Sequence, residues 1–389
     1  MTNVVRDAEN LGSALRNWRR ALHANPELSG QEEQTAAFVA RELRAMGYEP
    51  RERIGGEWGL TADLHVASGP LVALRADMDA LPIHEETGLE FASKNPGVMH
   101  ACGHDAHTAM LLAAARMLRE RKNELRRSVR FVFQPHEEKY PGGAPGMIRG
   151  GVLENVESIF GVHIISVIPK GIVAAREGPF MAAVNQLHIV VHGKGGHAAM
   201  PEDAIDPVVI SAQIITALQT IVSRSIAPHD TAVVSVTCVE AGTADNVIPS
   251  RVVLRGTIRT FDENVRQRVL QRVREIAAGI AAACGARAEV TLGEGYPVLL
   301  NDAATLSRAK RAAESLGGGL IWQNLPLQGG GEDFAYYGKH VPAAFVFVGA
   351  KNEPRVPCFP HHHARFDIDE DAMPLGAALL AQYALEAGR

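Results

Sequence analysis

Apolar positions recur along this chain with two different periods, and the pattern divides it into three blocks. In the first block, helical patterns within residues 11–46 precede short apolar runs that are typical of buried strands. Its predicted elements are two helices within 11–46, strands at 62–66 and 71–76, a helix at 106–121, and strands at 129–133 and 158–163. This alternation favours an α/β fold with a mixed, mainly parallel sheet and helices on both faces.

The middle block, residues 181–294, has a different order of elements. They are a strand at 186–191, a helix at 207–223, strands at 231–239 and 251–260, a helix at 263–284 and a strand at 287–292. The order β-α-β-β-α-β is that of a ferredoxin-like unit, a small antiparallel sheet with two helices. The last block returns to the α/β pattern, with a helix at 303–315, a strand at 344–348 and a helix at 370–385. We therefore predict an α/β domain made of 1–180 and 295–389, with 181–294 inserted.

Composition narrows the classes of partner. The net charge is −5, and no basic run is longer than Arg126-Arg127, which argues against nucleic acid or an anionic membrane and favours a small molecule. The opening residues lack the apolar core of a signal peptide, and we expect no membrane span because no window approaches roughly 18 apolar residues. Four cysteines are too few for a disulfide framework and predict a reducing, cytoplasmic location.

The segment HACGHDAHT at 100–108 carries the first candidate chemistry. Cys102 and His104 stand on either side of Gly103, just before a predicted helix. A thiolate and a neutral imidazole are both good ligands for a divalent first-row metal ion, and glycine allows the tight turn that lets both face one point.

Further polar groups follow predicted strands. The strand at 129–133 leads into Gln-Pro-His-Glu-Glu, so Glu137 and Glu138 should lie in a loop at the end of a strand. Two adjacent carboxylates beside a buried sheet repel each other, and a bound cation usually neutralises such a pair. His163 ends the strand predicted at 158–163, and three more imidazoles stand at 361–363.

The inserted block has a polar set of its own. His197 lies in a glycine-rich loop, Asn246 lies in a turn, and Arg259 comes late in a predicted strand. Arginine can grip a carboxylate with two hydrogen bonds, and histidine or asparagine can stabilise developing negative charge.

The motifs as a set resemble the M20 metallopeptidase and aminoacylase family, in the amidohydrolase branch that includes hippurate hydrolase and indole-acetyl-amino-acid hydrolases. The resemblance covers nearly the whole chain. Its motifs are RADMDALP at 75–82, VMHACGHD at 98–105, FQPHEE at 133–138, GVH at 161–163, GGH at 195–197, NVIP at 246–249, GEDFA at 331–335 and HHARFD at 362–367.

This resemblance implies a dinuclear metal site in the α/β domain, with the inserted domain acting as a lid or dimer contact. The implied metal ligands are Cys102, His104, Glu138, His163 and His362, with Cys102 bridging both ions. Glu137 would be the base that takes a proton from the attacking water and passes it to the leaving amine, and Asp79 would support the ligands from behind. His197 would stabilise the oxyanion, and Asn246 and Arg259 would hold the substrate's carboxylate end.

The implied activity is metal-dependent hydrolysis of the amide bond in N-acyl amino acids of the hippurate, acetyl or aryl-acyl type. A dipeptidase or carboxypeptidase using the same site is an alternative, and a metal-binding protein without catalysis is a more distant one. The mixed donor set suits manganese or zinc, with nickel and cobalt as further candidates. An exposed edge strand in the insert favours a homodimer or a higher homo-oligomer.

Three departures from the family pattern leave questions open. His136 stands where the branch has a small residue, and Lys139-Tyr140-Pro141 makes the following loop bulkier, so the substrate preference is open. Ala364 replaces a common proline, which leaves open which imidazole of 361–363 binds metal, although His362 has the expected spacing to Phe366 and Asp367.

Each candidate taken singly has a simpler explanation. Cys102 and His163 could be ordinary buried residues, and the two glutamates could be a solvated strand end. His197, Asn246 and Arg259 could equally be loop and edge-strand residues. We interpret His107, one helical turn from His104, as a neighbour whose hydrogen bonds are satisfied.

Overall fold

The computed structural model describes residues 3–317, 319–353, 356 and 358–388. The chain forms two compact units. The first consists of Met1–Phe180, Leu300–Pro326 and Asp333–Arg389, and the second of Met181–Leu299 and Leu327–Glu332. The second unit thus extends past the predicted boundary at 294 and includes a short returning segment that no periodic pattern had marked.

The first unit is built on an eight-stranded sheet. The strands, in spatial order, are Arg51–Ile54, Gly59–Leu64, Ser128–Gln134, Leu71–Asp77, Val156–Pro169, Ala343–Lys351, Ile172–Ala175 and Ile321–Asn324. The central four strands are parallel to one another, and antiparallel pairs join them to shorter strands. All seven residues of Leu71–Asp77 and of Ser128–Gln134 are buried, as expected for strands covered on both faces. The predicted mixed, mainly parallel sheet is confirmed.

Helices pack around this sheet. In the first unit they are Asn3–Asn10, Gly12–His23, Glu33–Ala45, His104–Glu120, Ala144–Arg149, Ala303–Leu316 and Met373–Glu386. Short 3-10 turns lie at Lys122–Glu124, Asp333–Lys339 and Glu370–Ala372, and the strands Gly178–Met181 and Leu299–Asn301 form a small sheet of their own. The helix His104–Glu120 is buried almost throughout, and its alanines and leucines contribute to the main hydrophobic core.

Two details differ from the predicted elements of the first unit. The strand predicted at 158–163 continues to Pro169, because the apolar run Ile164-Ile165 extends it and pairs with Val348 and Gly349 on the neighbouring strand. His163 therefore lies in the middle of a strand rather than at its end. The short strands Arg51–Ile54, Ile172–Ala175 and Ile321–Asn324 were not predicted.

The second unit has the predicted ferredoxin-like order. Its antiparallel sheet consists, in spatial order, of Ala232–Glu240, Arg251–Thr260, Ala183–His192 and Arg287–Glu294. Its two long helices are Pro207–Thr220 and Glu263–Ala283, and the first continues as a π-helical turn over Ile221–Ser225. A 3-10 turn lies at Pro201–Asp203, and a two-stranded ribbon joins Gly196–His197 to Val247–Ile248. Aspartates begin both helices: Asp206 accepts the N–H of Val208, and Asp262 accepts those of Asn264 and Val265.

The helical segment Pro207–Ser225 corrects one expectation. It is long and apolar enough to cross a membrane by length and composition alone, although no membrane-spanning window was expected. One side of the segment packs in the core of the second unit through Ile210, Ile214 and Leu218. The other side exposes Val208, Val209 and Val222, and only 28% of the segment is buried.

A buried ion-pair network joins the helix Gly12–His23 to the segment that carries the candidate ligands. Arg19 binds Asp105 and Asp367, and His23 lies 2.8 Å from Asp105 and 3.2 Å from Glu85. Burial alone would lower the pKa of His23, but the hydrogen bonds to these two carboxylates raise it to about 9. The folded protein thus holds His23 protonated at neutral pH.

This network predicts a pH dependence of stability. Because the folded pKa of His23 exceeds the unfolded value of about 6.5, its contribution is complete below pH 6.5 and is lost as pH rises through about 9; the full difference is on the order of 3 kcal/mol. Urea unfolding from pH 6 to 10 should show this loss for the wild type and a flatter profile for His23→Gln. Parallel profiles for the two proteins would show that His23 is not the group responsible.

Candidate metal centre

The turn at Gly103 places the first two candidate ligands. Gly103 has φ of 89°, and a side chain there would bring its Cβ within 2.7 Å of Ile164. Only glycine fits both the backbone conformation and the space. Cys102 lies just before this turn, and His104 opens the helix His104–Glu120.

Donor atoms from distant parts of the first unit meet around Cys102. The atoms of Cys102, His104 and Glu138 lie within 4.8 Å of one another, and so do those of Cys102, His163 and His361. The Cys102 sulfur is 3.5 Å from Nε2 of His163, and Nε2 of His104 is 3.8 Å from Oε1 of Glu138. Cys102 belongs to both groups, which is the position that a ligand shared by two ions would need.

The unsatisfied atoms in this cluster fit a metal ion. Nε2 of His104 and Oε1 of Glu138 are buried and have no hydrogen-bond partner among the residues that the structure describes. Burial, together with the charges of Glu138 and Glu137, raises the pKa of the Cys102 thiol well above its ordinary value, and burial lowers the pKa of His163. A cation between these groups would stabilise the thiolate and the carboxylates while using the neutral imidazoles as ligands. Sulfur, nitrogen and oxygen donors at such distances suit a divalent transition metal.

The three consecutive histidines point to different neighbours. His361 lies with Cys102 and His163, and its Nε2 donates to the carbonyl of Ile164 at 3.0 Å. His362, at φ of 65°, donates its backbone N–H to Ala101, and its Nε2 is 3.3 Å from Oε2 of Glu138. His363 accepts the N–H of Arg365 and stacks on Phe359. The assignment of His362 as a metal ligand stays a prediction. His361, which the spacing to Phe366 and Asp367 did not favour, is the residue that lies with Cys102 and His163.

Asp79 supports two ligand candidates at once. Its Oδ1 lies 3.2 Å from Nδ1 of His104, and its Oδ2 accepts the hydroxyl of Ser29 at 2.6 Å and the backbone N–H of Glu138 at 2.9 Å. With Nδ1 held in this way, Nε2 is the ring nitrogen of His104 that is left to bind a metal ion. Asp79 thus lies where a carboxylate orienting the ligands is expected.

Substitution of Asp79 gives a measurable prediction. Asp79→Asn keeps the size of the side chain but replaces one carboxylate oxygen by an NH₂ group. That NH₂ group would face a hydrogen-bond donor, either Nδ1 of His104 or the backbone N–H of Glu138. We expect metal affinity to fall by roughly 10- to 100-fold. Competition with a coloured chelator measures this, and Asp63→Asn, on the strand Gly59–Leu64, is the control. Unchanged affinity would contradict the orienting role of Asp79.

Asp77 and Arg75 were not assigned a role from sequence. Asp77 lies 2.6 Å from Nδ1 of His107 and 2.6 Å from the guanidinium of Arg75. Nε2 of His107 accepts the N–H of Ile164, so both ring nitrogens are used. The prediction that His107 is a satisfied neighbour is confirmed. The sequence feature that could have indicated a role for Asp77 is its alternation with Arg75 and Asp79, since alternate residues share one face of a strand.

Glu137 follows the buried strand Ser128–Gln134, as predicted, and is only 6 % exposed. It precedes Glu138, one of the cluster's donors, in the chain, and its own carboxylate lies within 4.8 Å of that of Asp333. A carboxylate in a partly dry site beside a metal centre is suited to proton transfer. Its assignment as the base remains a prediction.

The candidates in the second unit form a smaller set. His197 pairs with Val247 in the two-stranded ribbon, and the N–H of Ala198 donates to the carbonyl of Asn246. Arg259 lies on the strand Arg251–Thr260, and partial burial lowers its pKa. The structure brings His197 and Asn246 together, while their roles and that of Arg259 stay predictions.

Comparison with known families gives one family-level match. Residues 73–386 match the model of peptidase family M20/M25/M40. A solved structure from Bacillus subtilis, a dinuclear metal-binding peptidase of the M20 family, is 39% identical and superposes with a TM-score of 0.85 over 97% of this chain and 98% of that one.

Relatives with assigned activities are similar over most of the chain. N-acetylcysteine deacetylase of Bacillus subtilis is 42% identical over 95% of this chain and 96% of its own length. N-acyl-L-amino acid amidohydrolase of Geobacillus stearothermophilus is 48% identical over 73% of this chain and 77% of its length. Thermostable carboxypeptidase 2 of Saccharolobus solfataricus is 40% identical over 97% of this chain and 98% of its length.

Proposed function

The chain belongs to peptidase family M20/M25/M40 and is a metal-dependent amide hydrolase, and from this premise we propose that its substrates are N-acyl amino acids with a free carboxylate. The observation that carries the proposal is the position of Cys102 in two overlapping donor groups, with the buried Glu137 next to the donor Glu138 in the chain. Two of the relatives are named for removing acyl groups from amino acids, which supports this substrate class.

Five residues would hold two divalent ions. They are Cys102, His104, Glu138, His163 and His362, with Cys102 shared. When bound, such ions polarise the amide carbonyl and lower the pKa of water towards neutrality. Manganese or zinc fits this donor set, and nickel and cobalt remain candidates, because geometry and availability decide among ions of similar affinity.

The remaining chemistry belongs to side chains of this chain. Glu137 takes the proton of the attacking water at its carboxylate and delivers it to the leaving nitrogen. His197 donates to the oxygen on which negative charge develops. Arg259 grips the substrate carboxylate with two hydrogen bonds, and Asn246 holds the same end.

A panel of substrates tests this proposal. Metal-loaded protein should cleave acetyl, benzoyl or indole-acetyl amino acids, and should lose most of its kcat/KM when the free carboxylate is replaced by a carboxamide. Arg259→Ala should remove that preference. Equal cleavage of acid and carboxamide would contradict recognition of the carboxylate.

A carboxypeptidase or dipeptidase is the second candidate, and the similarity to thermostable carboxypeptidase 2 favours including it. Dipeptides in the same panel distinguish the two candidates. A kcat/KM for dipeptides above that for every N-acyl amino acid would decide for the peptidase. Absence of cleavage of either class by metal-loaded protein would point to a binding protein.

The second unit supports a homodimer. The strand Ala232–Glu240 lies at the edge of its sheet, and Val233 and Val239 on it are exposed. An exposed apolar edge can pair with a second copy of the chain. Light scattering should give a dimer mass for the wild type and a monomer mass for the double variant Val233→Lys/Val239→Lys.

The cysteines support a reducing, cytoplasmic location, because all four are free thiols: Cys102, Cys238, Cys284 and Cys358.

A further inference from the structure

Glu32 is a buried carboxyl group that the chemistry above does not use. It lies at the start of the helix Glu33–Ala45, where a side chain ordinarily caps the free N–H groups of its own helix. Glu27 provides that cap instead, because its carboxylate accepts the N–H groups of Gln34 and Thr35. The side chain of Glu32 is therefore directed elsewhere.

Its partner is the loop that contains the proposed base. Oε1 of Glu32 accepts the N–H of His136 at 2.8 Å and the N–H of Gly30 at 2.9 Å. Two residues further on, Asp79 accepts the N–H of Glu138 at 2.9 Å. Two buried carboxyl groups thus hold the backbone immediately before and immediately after Glu137.

The loop needs this support because His136 has an uncommon backbone conformation. Its φ is 63°, a left-handed value that is unfavourable for a residue with a Cβ. The hydrogen bond to Glu32 fixes its N–H, Gly143 donates to its carbonyl at 2.8 Å, and its Nδ1 lies 3.4 Å from Glu57. Released from these contacts, His136 would return towards an ordinary φ, and Glu137 would turn with it.

We propose that Glu32 is a positioning residue for the reaction, which holds His136 in its left-handed conformation and thereby aims the Glu137 carboxylate at the metal centre. This role rests on the proposed function of Glu137 as the base. Oε2 of Glu32 has no hydrogen-bond partner among the residues that the structure describes. Burial and the nearby charge of Asp79 raise the pKa of Glu32 to about 8, so glutamine is a close mimic of it at neutral pH.

Three variants separate positioning from general stability. Glu32→Leu removes the acceptor and should lower kcat roughly 10²-fold, as expected for a misplaced catalytic group, with KM and metal content unchanged. Glu32→Gln keeps a carbonyl acceptor and should restore most of the kcat. Glu27→Leu should lower the melting temperature through loss of the helix cap while leaving kcat unchanged. Glu32→Met replaces the leucine variant if the latter does not fold.

A fourth variant tests the conformational step itself. Glycine adopts a left-handed φ without cost, so adding His136→Gly to Glu32→Leu should recover kcat at least fivefold. Hydrogen exchange of the metal-free proteins gives a readout independent of activity: the amides of 136–138 should exchange faster in Glu32→Leu than in the wild type or Glu32→Gln.

The outcomes are distinct from those for the base. Wild-type kcat in Glu32→Leu, equal loss in the leucine and glutamine variants, or loss of bound metal in Glu32→Leu would each overturn the positioning role. If Glu137→Gln is inactive while Glu32→Leu is fully active, only this inference fails. If Glu137→Gln is fully active, the base assignment fails and the role of Glu32 fails with it.

Discussion

Glu137→Gln should retain bound metal and lose turnover by about 10²- to 10⁴-fold, the range expected when a general base is removed. The amide has nearly the same size and leaves the neighbouring donor Glu138 intact, so the variant tests proton transfer rather than the metal site. The kcat/KM for an N-acyl amino acid and metal content by elemental analysis are the two measurements.

The control for this substitution is Glu120→Gln, which changes an exposed carboxylate at the end of the helix His104–Glu120, outside the loop that carries the proposed base. It should keep turnover within a few-fold of the wild type. Full activity of Glu137→Gln at unchanged metal content would remove Glu137 from the mechanism and leave the metal site as the sole catalytic element.

Cys102→Ala should have the second large effect. Because the Cys102 sulfur belongs to both donor groups, its removal should reduce the metal bound per chain and lower kcat/KM by more than about 10³-fold, since both positioning and charge stabilisation depend on the ions. Titration of metal-free protein with manganese or zinc, followed by the activity assay, measures both effects.

Cys358→Ala is the matched control, because this second free thiol hydrogen-bonds the carbonyl of Ser166 and lies outside both donor groups. It should bind metal and turn over like the wild type. A Cys102→Ala protein with full metal content and activity would show that the thiol is an ordinary buried residue, the simpler explanation considered at the outset.

Long periodic elements could be predicted from sequence, and short ones could not. The strand Arg251–Thr260 was predicted at both ends because an apolar pattern runs through it, and Val252, Leu254 and Ile258 on it are buried. Three- and four-residue strands such as Ile321–Asn324 carry too few positions for a period to show. The extension of the strand through His163 was missed because a polar residue in mid-strand looks like a strand end.

The candidate site divides in the same way. Cys102 and His104 were candidates because their types and spacing match metal-ligand chemistry, and the resemblance to the M20 family added Glu138 and His163. The fold brings donor atoms of all four residues into two overlapping groups around Cys102, while their roles as ligands stay predictions. The role of Glu32 could not be predicted, because its partner is the backbone N–H of His136, about 100 residues further along the chain. Every residue type except proline has a backbone N–H, so the sequence does not mark that partner. Side-chain motifs mark donors, whereas the groups that hold them depend on tertiary contacts.

The central claim is that amide hydrolysis depends on metal held at Cys102, His104 and Glu138. We would remove metal with a chelator, confirm by circular dichroism that the fold persists, and measure cleavage of an N-acyl amino acid as manganese or zinc is added back. We expect no cleavage without metal and a return of activity that levels off near two ions per chain. Undiminished cleavage by the metal-free protein would contradict it.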